Sequence, residues 1–432
     1  MHRWSNRLAV VAGTAALTLG LPAMGAAYGV SQSHRTAEPP AARAVARLDR
    51  LGHRALFAAS VRGELNGVDV RARDHGWAVG SVCVTSICAR EDTLIEHWNG
   101  RRWVRVPSPN VHGLQTLVSV SAVSASDAWA VGIYATRGDE AIRTLIVHWN
   151  GRRWSRVPSP NPDASPKNGL NFLFSVTAVS GRDAWAAGEA EQGASGVSPL
   201  IVHWNGTRWS AVPSPRRTGL SEISSVSAAS ARDIWAVGFY GVTGSHALIE
   251  HWNGSHWRIV AAPARPRGQI ELMTVTALSA RSAWAVGAVC ADRCEAEKPP
   301  SRAVILHWNG RRWAAVASPA PGAASLLTAV AATSARNAWA VGQSCAKACA
   351  LAPLTGGNQG QILILHWNGT RWSRTAVPRL GGGEHNLASV SALSRSAWAV
   401  GLTCTRNCAG DSASPPVTQP LTLRWNGQRW LS

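Results

Sequence analysis

Tryptophan recurs at fixed positions along the chain, and this recurrence constrains the fold more than any other feature. The chain contains 22 Trp against only four Phe and three Tyr. Each repeat unit holds a first Trp in a Trp-Ala-Val-Gly context, a second in His-Trp-Asn-Gly, and a third five residues later. Seven units, spaced by 49 to 59 residues, account for every Trp except Trp4, and this period is typical of stacked supersecondary repeats. The first, second and third positions are, respectively, Trp77, Trp129, Trp185, Trp235, Trp284, Trp339 and Trp398; Trp98, Trp149, Trp204, Trp252, Trp308, Trp367 and Trp425; and Trp103, Trp154, Trp209, Trp257, Trp313, Trp372 and Trp430.

Each unit contains four strand-like runs and no helical periodicity. In the second unit the runs are Leu117–Val123, Ala128–Gly132, Thr144–Trp149 and Arg153–Val157. Asn-Gly separates the third and fourth runs in all seven units, and this pair favours a type I′ hairpin turn in which both residues adopt positive φ. Four antiparallel strands repeated seven times predict an all-β fold, a seven-bladed β-propeller of four-stranded antiparallel blades. The tight hairpin argues against a β-solenoid.

The N-terminal segment has the composition of a secretory signal peptide. Residues 1–27 combine Arg3 and Arg7 with an apolar run and a group of small residues at which a signal peptidase cuts. Residues 28–53 are rich in Ala, Arg and Pro, which is typical of a flexible linker, so the propeller is expected to occupy 54–432. We predict a secreted, extracellular protein with no membrane span in the mature chain. The alternative is a retained N-terminal anchor.

Eight cysteines fall into four local pairs, which predict four disulfides in an exported chain. All of them follow the first Trp of units one, five, six and seven. The distance from the first to the second Trp varies from 17 to 28 residues among the units, whereas the second-to-third distance is constant. A zinc site is the alternative use of paired Cys. The pairs are Cys83/Cys88, Cys290/Cys294, Cys345/Cys349 and Cys404/Cys408.

The variable loops are predicted to lie on one face of the ring, together with the connections between blades. Because blade seven abuts blade one in a closed ring, the Cys-containing loops occupy one contiguous sector. Variable loops on a fixed scaffold are the usual place for binding. Neutral drift of loops that are clamped against proteolysis is the alternative. The candidate ligand-binding residues in this sector are Arg90, Glu91, Arg293, Glu295, Glu297, Lys298, Lys347, Arg406 and Asp411.

The repeated aromatic residues are interpreted as structural. The first and second Trp are expected to fill space between blades, with their indole N–H groups bonded to backbone acceptors. The third Trp is expected to be more exposed, and an aromatic platform for sugars is the alternative there. A His precedes the second Trp in six units, with Arg424 in the seventh; one side chain per blade cannot converge on a metal ion at about 2 Å, so no metal site is expected. Asp127, Asp183 and Asp233, two residues before the first Trp, are expected to cap turns.

Arginine precedes the third Trp in six units, and unit four has His256 there. The formal net charge is +19, and a girdle of this kind attracts anionic polymers. The alternative, which we favour, is a solubilising surface whose Arg stems cover Trp faces. The arginines are Arg102, Arg153, Arg208, Arg312, Arg371 and Arg429.

The repeat also carries a family resemblance over roughly residues 66–432. Its pattern is Ser-Val-Ser-Ala-x-Ser-x-x-Asp-x-Trp-Ala-Val-Gly, then Leu-Ile-x-His-Trp-Asn-Gly-x-x-Trp. It resembles secreted bacterial Trp-rich β-propeller repeat proteins of actinobacterial type and is distantly similar to kelch and Asp-box repeat propellers. The resemblance implies a fold and an extracytoplasmic location. The unit departs from the Ser-x-Asp-x-Gly-x-x-Trp pattern of sialidase Asp-boxes, so sialidase-like chemistry is not expected.

Catalytic patterns are lacking in the sequence, which has no Ser-His-Asp arrangement, nucleotide-binding loop or metal signature. We therefore predict a secreted, monomeric binding or scaffold propeller that uses no cofactor. Its predicted partner is an envelope or extracellular protein, or an anionic or neutral polysaccharide, held by the disulfide-pinned loops; no specific nucleic-acid binding is expected. The alternative is a polysaccharide-acting hydrolase or lyase with its site at the channel mouth. Glu222, Glu271 and Glu384, near the starts of first strands, are its best acid–base candidates.

Overall fold

The computed structural model describes most of the repeat region. It covers residues 62–432 except 86–87, 89, 112, 137–140, 166–168, 192–195, 216, 243–244, 264–267, 291–300, 320–321, 346–359 and 409–415. The predicted signal peptide and linker lie outside the described residues. In the part that is described, no helix has the length and apolar character of a membrane span.

Seven four-stranded antiparallel sheets form the fold, and each sheet follows chain order. This confirms the predicted all-β, seven-bladed β-propeller. The blades comprise, in order, β1 (Gly63–Ala72), β2 (His75–Cys83), β3 (Glu91–Trp98), β4 (Trp103–Arg105); β5 (Gly113–Ser124), β6 (Asp127–Thr136), β7 (Arg143–Trp149), β8 (Trp154–Val157); β9 (Leu170–Ser180), β10 (Asp183–Glu191), β11 (Val197–Trp204), β12 (Trp209–Val212); β13 (Leu220–Ser230), β14 (Asp233–Gly241), β15 (His246–Trp252), β16 (Trp257–Ile259); β17 (Gln269–Ser279), β18 (Ser282–Cys290), β19 (Ser301–Trp308), β20 (Trp313–Val316); β21 (Ala324–Ser334), β22 (Asn337–Cys345), β23 (Gln361–Trp367), β24 (Trp372–Arg374); β25 (Glu384–Ala392), β26 (Ala397–Arg406), β27 (Val417–Trp425) and β28 (Trp430–Leu431).

The first strand of each blade lies innermost, because the first strands of neighbouring blades pack against one another around the ring axis. Blade one closes on blade seven in the same way. The Val68 and Val70 backbone N–H groups donate to the Ser389 and Ser391 hydroxyls at 3.3 and 2.9 Å. Blade seven draws its four strands from its own repeat. The segment Ala55–Val61, for which the sequence leaves open either an added strand at the closure or a linker, lies outside the described residues.

The Gly of Trp-Ala-Val-Gly lies on the second strand, opposite a β-bulge in the innermost strand. In blade two, Leu117 pairs with Gly132 and Ser119 pairs with Val131, so that Val118 is the extra residue. The same register shift occurs in every blade. A Cβ at Gly132 would lie 2.0 Å from the Thr116 carbonyl oxygen. Only Gly permits this close approach of the backbones, which explains its place in the repeat.

The Ser-x-Ser segment of the repeat joins adjacent blades. In blade two, the Ser119 and Ser121 hydroxyls accept hydrogen bonds from the Val176 and Ala178 backbone N–H groups of blade three at 3.2 and 3.1 Å. Equivalent pairs join blades three to four and four to five. The innermost strand is a sheet edge, so its N–H groups need partners outside their own sheet. The serines supply those partners.

Trp fills the space between blades. Trp129 packs against the second and third Trp of the next blade, Trp204 and Trp209, with ring centroids 4.9 and 5.1 Å away. Seven clusters of buried apolar residues each draw on two adjacent blades. The expectation of a more exposed third Trp is wrong for blades two to seven. Trp209 is 5% exposed, because the outermost strand turns this side chain inward onto the preceding blade.

The indole N–H groups divide by position. In blades one, two, three, five and six the second Trp bonds to a carbonyl of the turn between the first two strands, as predicted; Trp98 Nε1 donates to Arg73 O at 2.8 Å. The first Trp does not follow the prediction in most blades, and the indole N–H of the third Trp is likewise unpaired in most blades. Trp129 and Trp209 Nε1, for example, have no hydrogen-bond partner. Their rings are surrounded by other aromatic rings, which offer no carbonyl.

The repeated His and Asp residues bond to each other. His148 Nε2 lies 2.8 Å from Asp127 Oδ1, and the His148 ring packs on Trp129 with centroids 4.2 Å apart. Blades three and four repeat the pair. The structural interpretation of His agrees with this contact, and the Asp side chains, for which a turn-capping role was predicted, orient the His rings.

The Asn-Gly hairpins are present but are longer than the predicted two-residue turns. In blade one, Trp98 pairs with Trp103, so four residues form the connection. Asn99 Oδ1 accepts from the backbone N–H groups of Arg101 and Arg102 at 3.1 and 3.0 Å. Gly100 alone has a positive φ, of 89°. The Asn side chain thus stabilises the turn without adopting the left-handed conformation.

Candidate functional site

The connectivity of the blades separates two faces. The loops between second and third strands lie with the blade-to-blade connections, and we call this side the loop face. The turns between first and second strands and between third and fourth strands form the opposite side, which we call the turn face. The predicted binding sector, over blades five, six, seven and one, belongs to the loop face.

Disulfides are present on the loop face of adjacent blades one and seven. Cys83–Cys88 has a Cα–Cα distance of 4.9 Å, and Cys404–Cys408 one of 5.7 Å. Each bridge starts within the last residues of the second strand, so it holds the loop at the point where the loop leaves the sheet. Cys290 and Cys345 are also disulfide-bonded. Their predicted partners Cys294 and Cys349 lie outside the described residues.

Three of the candidate binding residues are described. Arg90 forms an ion pair with Asp92 at 3.1 Å, and Arg406 is exposed beside the Cys404–Cys408 bridge. Glu91 is only 7% exposed and pairs with Cys83 across the strands. Burial raises the pKa of the Glu91 carboxyl to about 8. The remaining candidates lie outside the described residues; they are Arg293, Glu295, Glu297, Lys298, Lys347 and Asp411.

A cavity of about 710 Å³ opens between blades six and seven at the loop-face end of their strands. Gln361 at the start of β23 and Glu384 at the start of β25 lie on its wall with Arg374. The connection from blade six to blade seven supplies most of the apolar wall. The sequence pointed to this sector through its cysteines but gave no sign of the cavity, because a gap between two blades is set by packing. The apolar wall residues are Ile362, Ala376, Val377, Pro378 and Leu380.

His385 is held in one orientation on the same wall. Its Nε2 lies 3.0 Å from the Gly381 carbonyl oxygen, and its Nδ1 lies 2.9 Å from Thr403 Oγ. Because a carbonyl only accepts, Nε2 carries the proton, and in the neutral ring Nδ1 accepts from the Thr403 hydroxyl. Both ring nitrogens are engaged, so His385 presents a fixed ring edge to the cavity rather than a free base.

The three acidic residues proposed for catalysis do not occupy equivalent positions along the innermost strands, so they do not form one ring around the channel axis. Glu222 and Glu271 each precede the residue opposite the repeat Gly, whereas Glu384 lies two residues earlier in its strand. Glu222 accepts from Ser224 Oγ at 3.1 Å and Glu271 from Ser245 Oγ at 2.6 Å. Glu64 of blade one occupies the Glu222 level and was not identified from the sequence, because the first strand of unit one departs from the repeat pattern. The carboxylates of Glu64, Glu222 and Glu271 are bonded to neighbouring side chains.

Comparisons with known proteins establish the fold. No protein-family model matches the chain, and no curated protein matches its sequence. Among solved structures, the chain is similar to an ulvan lyase of polysaccharide lyase family PL25 bound to -[GlcA(1-4)Rha3S]-, with a TM-score of 0.51 and 10% identity, covering 86% of this chain and 96% of that one. YCF48 bound to D1 peptide has a TM-score of 0.47 and 14% identity, covering 79% and 91%. The GH74 xyloglucanase from Xanthomonas campestris has a TM-score of 0.49 and 12% identity, covering 86% and 55%. At 10% identity, the likeness to the ulvan lyase supports the β-propeller architecture alone.

Proposed function

We propose that this chain is an extracellular binding propeller that recognises a peptide segment of a partner protein on its loop face. The cavity between blades six and seven is the observation that carries the proposal. Its volume, about 710 Å³, lies within the range of sites that enclose a small ligand or a few side chains. The disulfide-bonded loop of blade seven follows β26, which pairs with β25 on the cavity wall.

The chemistry of the wall favours a peptide over a sugar. Five apolar side chains or rings line it, and Gln361, Arg374 and Glu384 add an amide, a cation and a carboxylate. Apolar surface accepts a side chain, while the polar groups meet backbone N–H and C=O groups. No Trp, Tyr or Phe lies among the described residues of the wall, and sugar rings typically pack their C–H faces on such aromatic rings. The protein partner is therefore preferred to the polysaccharide.

The decisive experiment pans a random heptapeptide phage library against the oxidised mature protein, with a glycan array run in parallel. Ala376→Trp fills the cavity from an exposed position on its wall. We expect wild type to enrich peptides, and we expect the selected synthetic peptides to lose at least tenfold in affinity to Ala376→Trp. Arg374→Glu reverses the charge of the wall and is expected to change the selected sequences.

Ala211→Trp is the matched control, since Ala211 is an exposed alanine on the outermost strand of blade three. It should bind the selected peptides as wild type does. If Ala376→Trp and wild type bound the selected peptides with equal affinity, the cavity would be excluded as the peptide-binding site. Enrichment of glycans without peptides would replace the peptide partner by a polysaccharide.

A further inference from the structure

The turn face carries many more arginines than the girdle of residues that precede the third Trp. Its fourteen turns contain fifteen Arg, all exposed, and a single carboxylate, Asp74. Six of them precede the third Trp and form the predicted girdle, six lie in the turns between first and second strands, and three directly precede a girdle arginine. The fifteen are Arg73, Arg101, Arg102, Arg152, Arg153, Arg182, Arg208, Arg232, Arg281, Arg311, Arg312, Arg336, Arg371, Arg395 and Arg429.

The two turns of each blade lie in contact, which places their arginines together. A Cβ at Gly206 would lie 3.1 Å from the Arg182 Cβ, and one at Gly310 would lie 3.1 Å from the Arg281 Cγ. The Asn side chain of each hairpin fixes the backbone of the Arg that follows; Asn205 Oδ1, for example, accepts from Arg208 N at 3.0 Å. The arginines therefore project from backbones that are already ordered, and binding costs less conformational entropy.

These arginines have no carboxylate partner among the described residues. The nearby Asp127, Asp183 and Asp233 are bonded to His at 2.6 to 2.8 Å and are at most 22% exposed, so they point into the blade. The cation–π contacts found in the described chain involve Arg156, Arg217 and Arg424, and none involves a turn Arg. Among the described residues, the guanidinium groups of the turn arginines are therefore not held over Trp rings by cation–π contacts. The guanidinium groups are available to an external anion.

The limited exposure of Trp, Tyr and Phe among the described residues narrows the class of anion, since each of these side chains is buried or half-buried, including the half-buried second Trp of blades two to seven. The exposed large apolar residues there are Val84, Val123, Val242 and Leu431. Binding of single-stranded nucleic acid relies on aromatic rings that stack on bases, and insertion into a bilayer relies on Trp, Phe or Leu clusters. A guanidinium fork binds the paired oxygens of carboxylate and phosphate groups, and of the similarly tetrahedral sulfate group, without stacking on bases or inserting into a bilayer.

We propose that the turn face binds a linear acidic polysaccharide through repeated contacts between arginine and its carboxylate or sulfate groups. This surface is opposite the peptide site proposed above and independent of it. Binding at both faces would join a polysaccharide to a partner protein. The affinity arises from many weak, screened ion pairs, so it must fall steeply with salt.

The test measures binding of heparin and of polygalacturonate across a salt series by isothermal titration calorimetry. The variant Arg182→Ser/Arg232→Ser/Arg281→Ser introduces the residue that blade two already carries at this position, Ser126, so the turns should keep their structure. We expect the affinity of the variant at low salt to fall at least tenfold. The slope of log Kd against log salt should fall by about three.

The control variant Arg258→Ser/Arg302→Ser/Arg379→Ser removes the same charge from exposed positions outside the turns. It should change the affinity less than threefold. If both variants lost the same affinity for the polysaccharide, the loss would follow from net charge alone, and the proposal would be overturned. Stronger binding of oligo(dT), or of vesicles of equimolar phosphatidylcholine and phosphatidylglycerol, than of either polysaccharide would overturn it in favour of nucleic acid or lipid.

Discussion

At the scale of single residues, the repeat shows which positions make structural contacts, but it does not show which residues those positions contact. The position of Gly132 indicates a strand, yet only the bulge opposite it explains why a side chain is excluded. His148 and Asp127 recur at fixed places, but their 2.8 Å contact depends on the register of two strands 21 residues apart. Buried departures from the repeat are the hardest to foresee. Glu91 was expected at the surface because charged residues rarely lie inside, and it lies under the blade-one loop.

Glu91→Gln is expected to remove a pH dependence of stability. Burial raises the pKa of Glu91 to about 8, against about 4.3 in an unfolded chain. Between these values the folded state keeps a proton that the unfolded state has released. The contribution of Glu91 to the free energy of unfolding is therefore most favourable below the unfolded-state pKa. It is lost as pH rises toward the folded-state pKa, by about 1.4 kcal/mol per pH unit. Urea unfolding should show that the free energy of unfolding of the variant, relative to that of wild type, is roughly 3 kcal/mol higher at pH 8 than at pH 5. A wild type and variant with parallel pH profiles would contradict this.

At the scale of the blade, strand order and hairpins were predictable because each repeat alternates polar and apolar residues between clear turns. The hydrogen bonds between blades were not, since Ser-x-Ser on a strand looks like an ordinary polar face. Their distribution is uneven. Blade six has Ala329 and Ala331 where blades two, four and seven have serines, so its side of the interface with blade seven lacks both hydroxyls. That interface also holds the cavity.

Removal of the serine pair at the ring closure is expected to destabilise the fold. Ser389→Ala/Ser391→Ala leaves the Val68 and Val70 N–H groups without their partners, at a cost of about 1–3 kcal/mol for each buried group. Thermal unfolding should report a lower Tm. The reciprocal change Ala329→Ser/Ala331→Ser restores the repeat residues in blade six and should not lower the Tm. An unchanged Tm in the Ser389→Ala/Ser391→Ala variant would exclude these bonds as a support of the closure.

At the scale of the whole molecule, the ring combines a regular turn face with an irregular loop face. The sequence predicted this asymmetry correctly from the constant and variable Trp spacings, because insertions accumulate where the chain leaves the scaffold. It did not predict how the ring closes. Arg424 replaces the repeated His in the last blade, and its guanidinium lies 5.3 Å from the centre of the Trp98 ring and 5.2 Å from that of Trp398. This departure from the repeat therefore lies at the junction of the first and last blades.

Arg424→Ala is expected to weaken that junction by about 1–2 kcal/mol, because it removes a half-buried cation between two indole faces. Arg429→Ala in the following turn is the matched control; Arg429 is exposed, and a surface change of this kind alters stability by less than about 0.5 kcal/mol. Urea unfolding followed by tryptophan fluorescence compares the two variants directly. Since Trp98 and Trp398 are 6% and 1% exposed, loosening of the junction would also shift the native emission to longer wavelength. Equal stability and equal native emission in the two variants would mean that Arg424 plays no part in closing the ring, and that the serine hydrogen bonds and apolar packing close it alone.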